Sequence, residues 1–178
     1  MRPLSFDETR ILLCRMVKYK KENLLLLIEE LKKNSMVFRI QKSRIFKAFL
    51  GLTRQSESFR ESQIGSLGTC VARLTHSNRL LLMIPCMKML IGYPSSSSLG
   101  VNRSGEIVFL RGLHLSQTSV IWANENIARG EGVSVLGPTG IHLGFGEMIC
   151  IITSQKTIKH KKIVLANHAD IGSYTRIY

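Results

Sequence analysis

The sequence predicts an α+β protein made of two folding units, with helices and an antiparallel sheet over residues 1–94 and mostly strands over 95–178. Three observations lead to this prediction. A capped amphipathic helix opens the chain, Pro94 and the four serines after it interrupt every apolar period, and short apolar segments alternate with glycine-rich turns in the second half. A chain of 178 residues is long enough for two small hydrophobic cores.

The first helix is predicted by its capping pattern and its apolar spacing. Ser5 and Glu8 have the spacing of a capping box, in which each side chain accepts a hydrogen bond from the backbone N–H of the other residue. Apolar residues recur at helical spacing from Leu12, so the helix is expected to run to about Tyr19. The apolar run Leu24–Ile28 fits either a helix or a buried strand, and its periodicity does not decide between them.

The rest of the first half is predicted to contain strands and one short helix. Met36–Ile40 alternates in polarity and ends in a polar turn, which predicts a strand. Lys47–Leu52 is expected to form a second helix, with its large apolar side chains on one face. Ser66–Leu74 and Arg79–Ile84 are joined by the polar turn Thr75–Asn78, and together they predict a β-hairpin.

The second half is predicted to be a small barrel or sandwich, because short strands follow one another with glycine-rich turns. Residues 120–128 fit either a helix or a strand, and residues 136–140 form a strong turn signal. The predicted strands are Glu106–Leu110, Glu131–Val135, Ile141–Ile152 and Lys162–Ala166. Gly144 and Gly146 lie inside the longest of them, where glycine indicates a bulge or a close backbone approach.

The charge of the chain restricts its partners. It has 25 Lys and Arg residues against 12 Asp and Glu, a net charge of +13, which favours a polyanion such as nucleic acid over a merely solvated basic surface. No apolar stretch reaches the roughly 18–20 residues of a membrane span, and the amino terminus lacks a signal-peptide core. A soluble intracellular protein is therefore expected. Its four cysteines are far apart in sequence and are expected to be reduced core residues.

The motifs of common enzymes are missing from the sequence. Its two aspartates are Asp7, in the first helical turn, and Asp170, near the carboxyl end. The histidines and cysteines lack metal-ligand spacing, and neither a phosphate-binding loop nor a nucleophile elbow occurs. The Gly144–Gly146 pair lacks the third glycine of a dinucleotide fingerprint. The sequence therefore predicts no catalytic residue, no metal and no cofactor.

Basic residues are the informative class. Seven of them, and no acidic residue, lie between Leu31 and Ser56. A second cluster, Lys156–Lys162, holds four lysines and a histidine just before the last predicted strand. Two such runs on a basic protein favour contacts with phosphates.

Five short motifs occur in order along the chain. They are Met1–Leu4 followed by Asp7–Arg10, then Ser66–Cys70, Phe109–Gly112, Leu143–Gly146 and His168–Arg176. Together they resemble a eukaryotic family of 60S ribosome biogenesis factors, the Nip-seven type, and the resemblance runs nearly end to end. The chain departs from that family at Gly100, where a bulky residue is usual, and at Ile121 and Trp122, where smaller or polar residues are usual.

The resemblance implies an amino-terminal α/β domain over 1–94 and a carboxyl-terminal PUA domain, a β pseudo-barrel, over 95–178. It implies a non-enzymatic RNA-binding assembly factor for the 60S subunit that acts in large-subunit pre-rRNA processing. The implied partners are large-subunit pre-rRNA and the pre-60S particle with its assembly factors, with no membrane contact. A monomer outside the particle and a location in the nucleus and nucleolus are also expected.

The resemblance also implies where RNA binds. In similar PUA domains the glycine-bearing hairpin and the basic loop before the last strand lie near the RNA. The corresponding residues are Gly144, Phe145, Gly146, Lys156, Lys159, His160, Lys161 and Lys162. The basic stretch Lys32–Arg54 competes with them as a site for RNA or protein.

Asp170–Arg176 is expected to be structural, with Gly172 in a backbone conformation that other residues resist. Direct contact of Arg176 with RNA is the alternative.

Two other classes of function remain open. A PUA-tailed RNA-modifying enzyme would need a catalytic carboxylate in a cleft, for which a unit of 94 residues leaves little room. A basic protein–protein interaction module would use the same positive surface to bind an acidic protein.

Overall fold

The computed structural model describes residues 1–20, 23–60, 63–77, 79–91, 97–124, 127–150 and 162–176. The chain divides into two compact units, one of residues 1–17 and 21–90 and the other of residues 18–20 and 91–178. The boundary predicted between residues 94 and 95 lies outside the described residues, as does most of the predicted linker Tyr93–Ser98, so this boundary stays a prediction.

The first unit contains helices and a five-stranded antiparallel sheet with the strand order β1-β2-β3-β4-β5. Its strands are β1 Arg2–Pro3, β2 Met36–Gln41, β3 Arg44–Phe49, β4 Thr69–Leu74 and β5 Leu80–Leu82. Its helices are α1 Phe6–Lys20, α2 Leu24–Lys33, α3 Leu50–Ser56 and α4 Met87–Ile91, and the last three residues of α1 belong to the second unit. The predicted strand at Met36–Ile40 and the hairpin of β4 and β5 are confirmed, and the open segment Leu24–Ile28 is helical.

The predicted capping box begins α1. The backbone N–H of Ser5 donates to Glu8 Oε2 at 2.8 Å, and the N–H of Glu8 donates to Ser5 Oγ at 3.2 Å. Arg2 adds two hydrogen bonds to the same carboxylate, at 2.6 and 2.8 Å. This bidentate contact lowers the pKa of Glu8 to about 2. Leu12 and Met16, one turn apart, are buried.

The prediction of a helix at Lys47–Leu52 is wrong for its first three residues. Residues up to Phe49 belong to β3, which pairs with β2 along its whole length, and the helix begins only at Leu50. The two-residue turn at Lys42 and Ser43 sets this register, because it directs the chain back along β2. The apolar spacing fitted both structures, and pairing of the strands decided between them.

The second unit contains a six-stranded mixed sheet with the order β7-β11-β10-β9-β6-β8, in which β6 and β9 are parallel. The strands are β6 Ser98–Val101, β7 Leu115–Ser116, β8 Val120–Ala123, β9 Gly132–Leu136, β10 His142–Met148 and β11 Ile163–Asp170. Helix α5 spans Arg103–Leu110. The predicted α+β class is confirmed, and the segment 120–128, left open between helix and strand, begins as β8.

The strand predicted at Glu106–Leu110 is wrong, because these residues form the end of α5. The side chain of Asn102 caps the helix by accepting a hydrogen bond from the N–H of Gly105 at 2.8 Å. Gly105 and Phe109, four residues apart, are the buried residues of the helix. Phe109 belongs to the core of the unit, so burial of this helical face outweighs the strand propensity of its β-branched residues.

Gly100 and Trp122, two of the departures from the family, lie opposite each other on β6 and β8. A Cβ atom at Gly100 would lie 2.8 Å from Cδ1 of the indole and would overlap other ring atoms. The indole therefore takes the space that a larger residue at position 100 would need. The small residue and the large one compensate for each other.

Two further findings concern the described residues. None of their helices is long and apolar enough to cross a membrane. All four cysteines are free, but only Cys86 is buried, and Cys14 is exposed, so the expectation of core cysteines is correct for one of them.

Candidate nucleic-acid interface

Strands β10 and β11 form a hairpin. Gly144 and Gly146 lie on β10, and the second basic cluster, Lys156–Lys162, lies between the two strands in sequence. Gly144 pairs with Asp170 at one end, and Met148 pairs with Leu165 at the other. Beyond Met148, the N–H of Ile149 donates to the carbonyl of Val164 at 2.8 Å. The two strands are thus held together up to the residues that flank 151–161.

Gly144 and Gly146 allow β10 to lie unusually close to β11. A Cβ atom at Gly144 would lie 2.7 Å from Asp170 Cα and would overlap the carbonyl oxygen of Ala169. One at Gly146 would overlap the carbonyl of Ala166. The close backbone approach predicted from these glycines is therefore present, and a bulge interrupts the pairing between Phe145 and Gly146.

The ring of Phe145 is enclosed by the protein. Its side chain is buried, and its ring packs edge-on against Tyr19 with 5.2 Å between the ring centres. In this conformation the ring offers no face on which a base could stack. Gly144 and Gly146 are buried as well, between β9 and β11, so no part of this segment is exposed in the structure.

Lys162 is exposed and directly precedes β11. Its carbonyl accepts a hydrogen bond from the N–H of Gln117 at 3.0 Å, which fixes the backbone where the basic cluster ends. Gly144 lies four residues before Met148, which is about 13 Å along a strand. Lys162 and the two glycines therefore lie at opposite ends of the hairpin. Lys156, Lys159, His160 and Lys161 lie outside the described residues.

Asp170 and Arg176 form the most connected polar cluster of the second unit. Asp170 is buried, and Arg176 donates to both of its carboxylate oxygens, at 2.8 and 3.0 Å. Arg176 also donates to the carbonyl of Leu110, and Asn167 donates to Asp170 at 3.2 Å and to the carbonyl of Phe109 at 2.9 Å. This cluster joins the end of β11 to the end of α5, which favours the structural interpretation.

Gly172 is required in this cluster for a different reason from the one predicted. Its φ lies outside the left-handed region, so its conformation is open to other residues. A Cβ atom would instead overlap the carbonyl of Leu110 and lie 2.9 Å from Asp170 Oδ1. The constraint is therefore the close approach of two chain segments.

The remaining electrostatic features of the hairpin are structural. Burial lowers the pKa of His142, whose Nδ1 lies 2.9 Å from Ser134 Oγ. This histidine therefore adds little positive charge at neutral pH. Among the described residues, no group of three or more His, Cys, Asp or Glu side chains could hold a metal ion.

The sequence and the fold both match known proteins. Residues 98–177 match the UPF0113 PUA domain family. The chain is 28% identical to the 60S ribosome subunit biogenesis protein NIP7 homolog of Sus scrofa over 99% of this chain and 97% of that protein. The NIP7 homolog of Dictyostelium discoideum is 27% identical, with the same coverage of both chains. Along nearly its whole length the chain is therefore similar to NIP7-type proteins.

Solved structures match the chain at the level of the fold. A conserved PUA domain protein from Thermoplasma acidophilum matches with a TM-score of 0.57 at 15% identity, over 96% of this chain and 93% of that one. A hypothetical protein from Pyrococcus horikoshii matches with a TM-score of 0.54 at 13% identity, over 94% and 93%. The curated relatives confirm the resemblance predicted from the motifs, and the solved structures confirm the PUA fold.

The basic stretch of the first unit is dispersed over several elements of the chain. Lys32 and Lys33 end α2, where they complement the helix dipole. Lys42 lies in the turn between β2 and β3, and Arg44 begins β3. Arg73 lies directly across from Arg44 on β4. Sequence reasoning missed Arg73, because it comes close to the basic stretch only through strand pairing.

Proposed function

We propose that this protein is a non-enzymatic RNA-binding assembly factor for the large ribosomal subunit and acts in pre-rRNA processing. The single observation that carries the proposal is the match to proteins named 60S ribosome subunit biogenesis proteins over 99% of the chain. The PUA domain and the net charge of +13 support RNA as the partner. Large-subunit pre-rRNA and the pre-60S particle are the proposed partners. The protein is proposed to bind them in the nucleus and nucleolus and to be a monomer outside the particle.

The proposed RNA contact is the basic cluster Lys156–Lys162. The cluster holds four lysines within seven residues and ends at the exposed Lys162, directly before β11. Contacts between lysine and phosphate position the RNA but do not read its bases. Binding through this cluster is therefore expected to depend strongly on salt and weakly on RNA sequence.

The test is RNA affinity of the full chain at several salt concentrations. Replacement of Lys156, Lys159, Lys161 and Lys162 with alanine should reduce the slope of log affinity against log salt by up to roughly 2.8, at about 0.7 for each phosphate contact with a single strand. The matched control replaces the same four lysines with arginine, which keeps the charge and should keep the slope. An unchanged slope in the alanine variant would place the contact elsewhere.

Two further measurements separate the proposal from the other classes of function. Crosslinking in cells should recover large-subunit pre-rRNA, whereas an interaction module for acidic proteins would recover none. Release of tritium from uridine-labelled rRNA by the purified protein would instead indicate an RNA-modifying enzyme. A fluorescent fusion should concentrate in the nucleolus.

The proposed domain boundary lies between residues 94 and 95, within the Pro-Ser stretch. It is supported by the match of the PUA family to residues 98–177 and by the division of the chain into two compact units. Stretches of this composition are common linkers between domains.

A further inference from the structure

A basic groove lies on the five-stranded sheet of the first unit. It has a volume of about 960 Å³ and is bounded by the β2–β3 turn, the segment 65–68 and the β4–β5 turn. Phe46 and Cys70, which pair across β3 and β4, form its floor. We call it the sheet groove. Its charged and titratable rim residues are Lys42, Arg44, Arg73 and His76.

Strand pairing places two arginines of the groove side by side. Arg44 on β3 lies directly opposite Arg73 on β4, and both side chains are exposed. Like charges directly opposite each other destabilise an antiparallel pair. Among the described residues, neither guanidinium has a hydrogen bond or an ion pair with a carboxylate. An anion bound between them would remove the repulsion.

The turn at the rim of the groove is strained. Lys42 and Ser43 have φ values of 45° and 62°, in the left-handed region. Two-residue hairpin turns of this kind favour asparagine and glycine, since other residues meet a steric penalty there. The carbonyl of Ser43 accepts a hydrogen bond from the N–H of Leu74 at 2.7 Å, which ties the turn to β4. The chain thus holds a lysine at the rim where a less strained residue would serve the turn better.

The lining fits a phosphate better than a protein partner. Three basic side chains and the hydroxyls of Ser43, Ser66 and Thr75 line the groove, and its described lining contains no Asp or Glu. Arginine pairs and hydroxyls are the usual donors to phosphate oxygens. Protein interfaces rely on aromatic anchors, whereas the one aromatic residue here, Phe46, is buried in the floor.

We propose that the sheet groove binds phosphate groups of an RNA backbone through Lys42, Arg44 and Arg73, as a second RNA contact besides Lys156–Lys162. This inference rests on the proposed function as an RNA-binding protein. It adds a contact that the basic stretch of the sequence did not contain, since Arg73 reaches the groove from another strand.

The test compares double variants of the full chain in binding a single-stranded RNA of mixed sequence. R44Q/R73Q should reduce the slope of log affinity against log salt by about 1.4, for two phosphate contacts. That slope change corresponds to a roughly sevenfold difference between the affinity losses at 50 and 200 mM salt. The matched control R10Q/R60Q removes the same charge from two exposed arginines outside the groove and should keep the slope.

Two measurements guard against a folding defect. R44K/R73K keeps both charges and should keep most of the slope, and all variants should unfold thermally within a few degrees of the wild type.

In the unmodified protein, saturating RNA should slow alkylation of Cys70 in the groove floor but not of the exposed Cys14.

The outcomes separate the two proposals. RNA binding by the wild type with equal slopes for R44Q/R73Q and R10Q/R60Q overturns the groove inference and leaves the proposed function intact. Failure of the wild type to bind RNA removes the proposed function and the groove inference with it. Loss of binding to an acidic peptide in R44Q/R73Q, with RNA binding unchanged, would assign the groove to a protein partner.

Discussion

Removal of the Arg176 side chain should destabilise the PUA domain without abolishing RNA binding by the folded protein. In Arg176→Ala the carboxylate of Asp170, whose side chain is 3% exposed, would lose both hydrogen bonds of the ion pair. Of the three hydrogen bonds that this carboxylate accepts from Arg176 and Asn167, only the one from Asn167, at 3.2 Å, would remain. The carbonyl of Leu110 would lose a donor as well.

The size of the effect follows from the burial of the carboxylate. Breaking a buried ion pair by removing one partner costs about 3–5 kcal/mol, because an uncompensated charge remains inside. For a chain of this length 1 kcal/mol corresponds to about 2–4 °C, so Tm should fall by roughly 6–20 °C. D170N/R176A should recover part of this loss, since a neutral amide leaves no buried charge. The control Arg103→Ala breaks an exposed pair and should cost at most about 1 kcal/mol.

The assay is thermal unfolding followed by circular dichroism, together with RNA affinity measured well below Tm. If Arg176→Ala unfolds within 2 °C or so of the wild type but loses RNA affinity, the structural reasoning is wrong and the arginine contacts RNA directly. A loss of stability in D170N/R176A equal to that in the single variant would also refute the argument from a buried charge.

Three other predictions test local features. Gly144→Ala should cost about 1–3 kcal/mol in urea unfolding, because the added methyl group overlaps the backbone of β11; equal stability would contradict this close approach. The pKa of Glu8 is about 2 in the folded protein against an ordinary 4.5, so its ion pair with Arg2 stabilises the fold fully above pH 4.5 and less as the pH falls towards 2. Glu8→Gln should therefore weaken the dependence of stability on pH between pH 4.5 and 2. An unchanged dependence would show that the ion pair with Arg2 does not stabilise the fold. Limited proteolysis should cut first within Tyr93–Ser98, whereas equal cleavage along the chain would contradict the two-domain proposal.

Local patterns predicted those elements whose formation depends on neighbours in sequence. The capping box at Ser5 and Glu8 is visible in the sequence because both hydrogen bonds join residues three apart. The motif His168–Arg176 likewise suggested a structural cluster, since Asp170 and Arg176 are only six residues apart. The importance of Gly172 could be anticipated, but its reason could not, because the carbonyl that excludes a side chain belongs to the distant Leu110.

The sequence by itself determined the α+β class, the capped first helix, the basic character and the family resemblance. Each of these features depends only on composition or on the spacing of residues close together in the chain. Tertiary structure alone decided whether Lys47–Phe49 and Glu106–Leu110 became strand or helix, since their apolar spacing fits both and the burial of one face selects between them. It also decided which cations meet. Arg44 and Arg73 are 29 positions apart in the chain and become neighbours only through the register of β3 and β4.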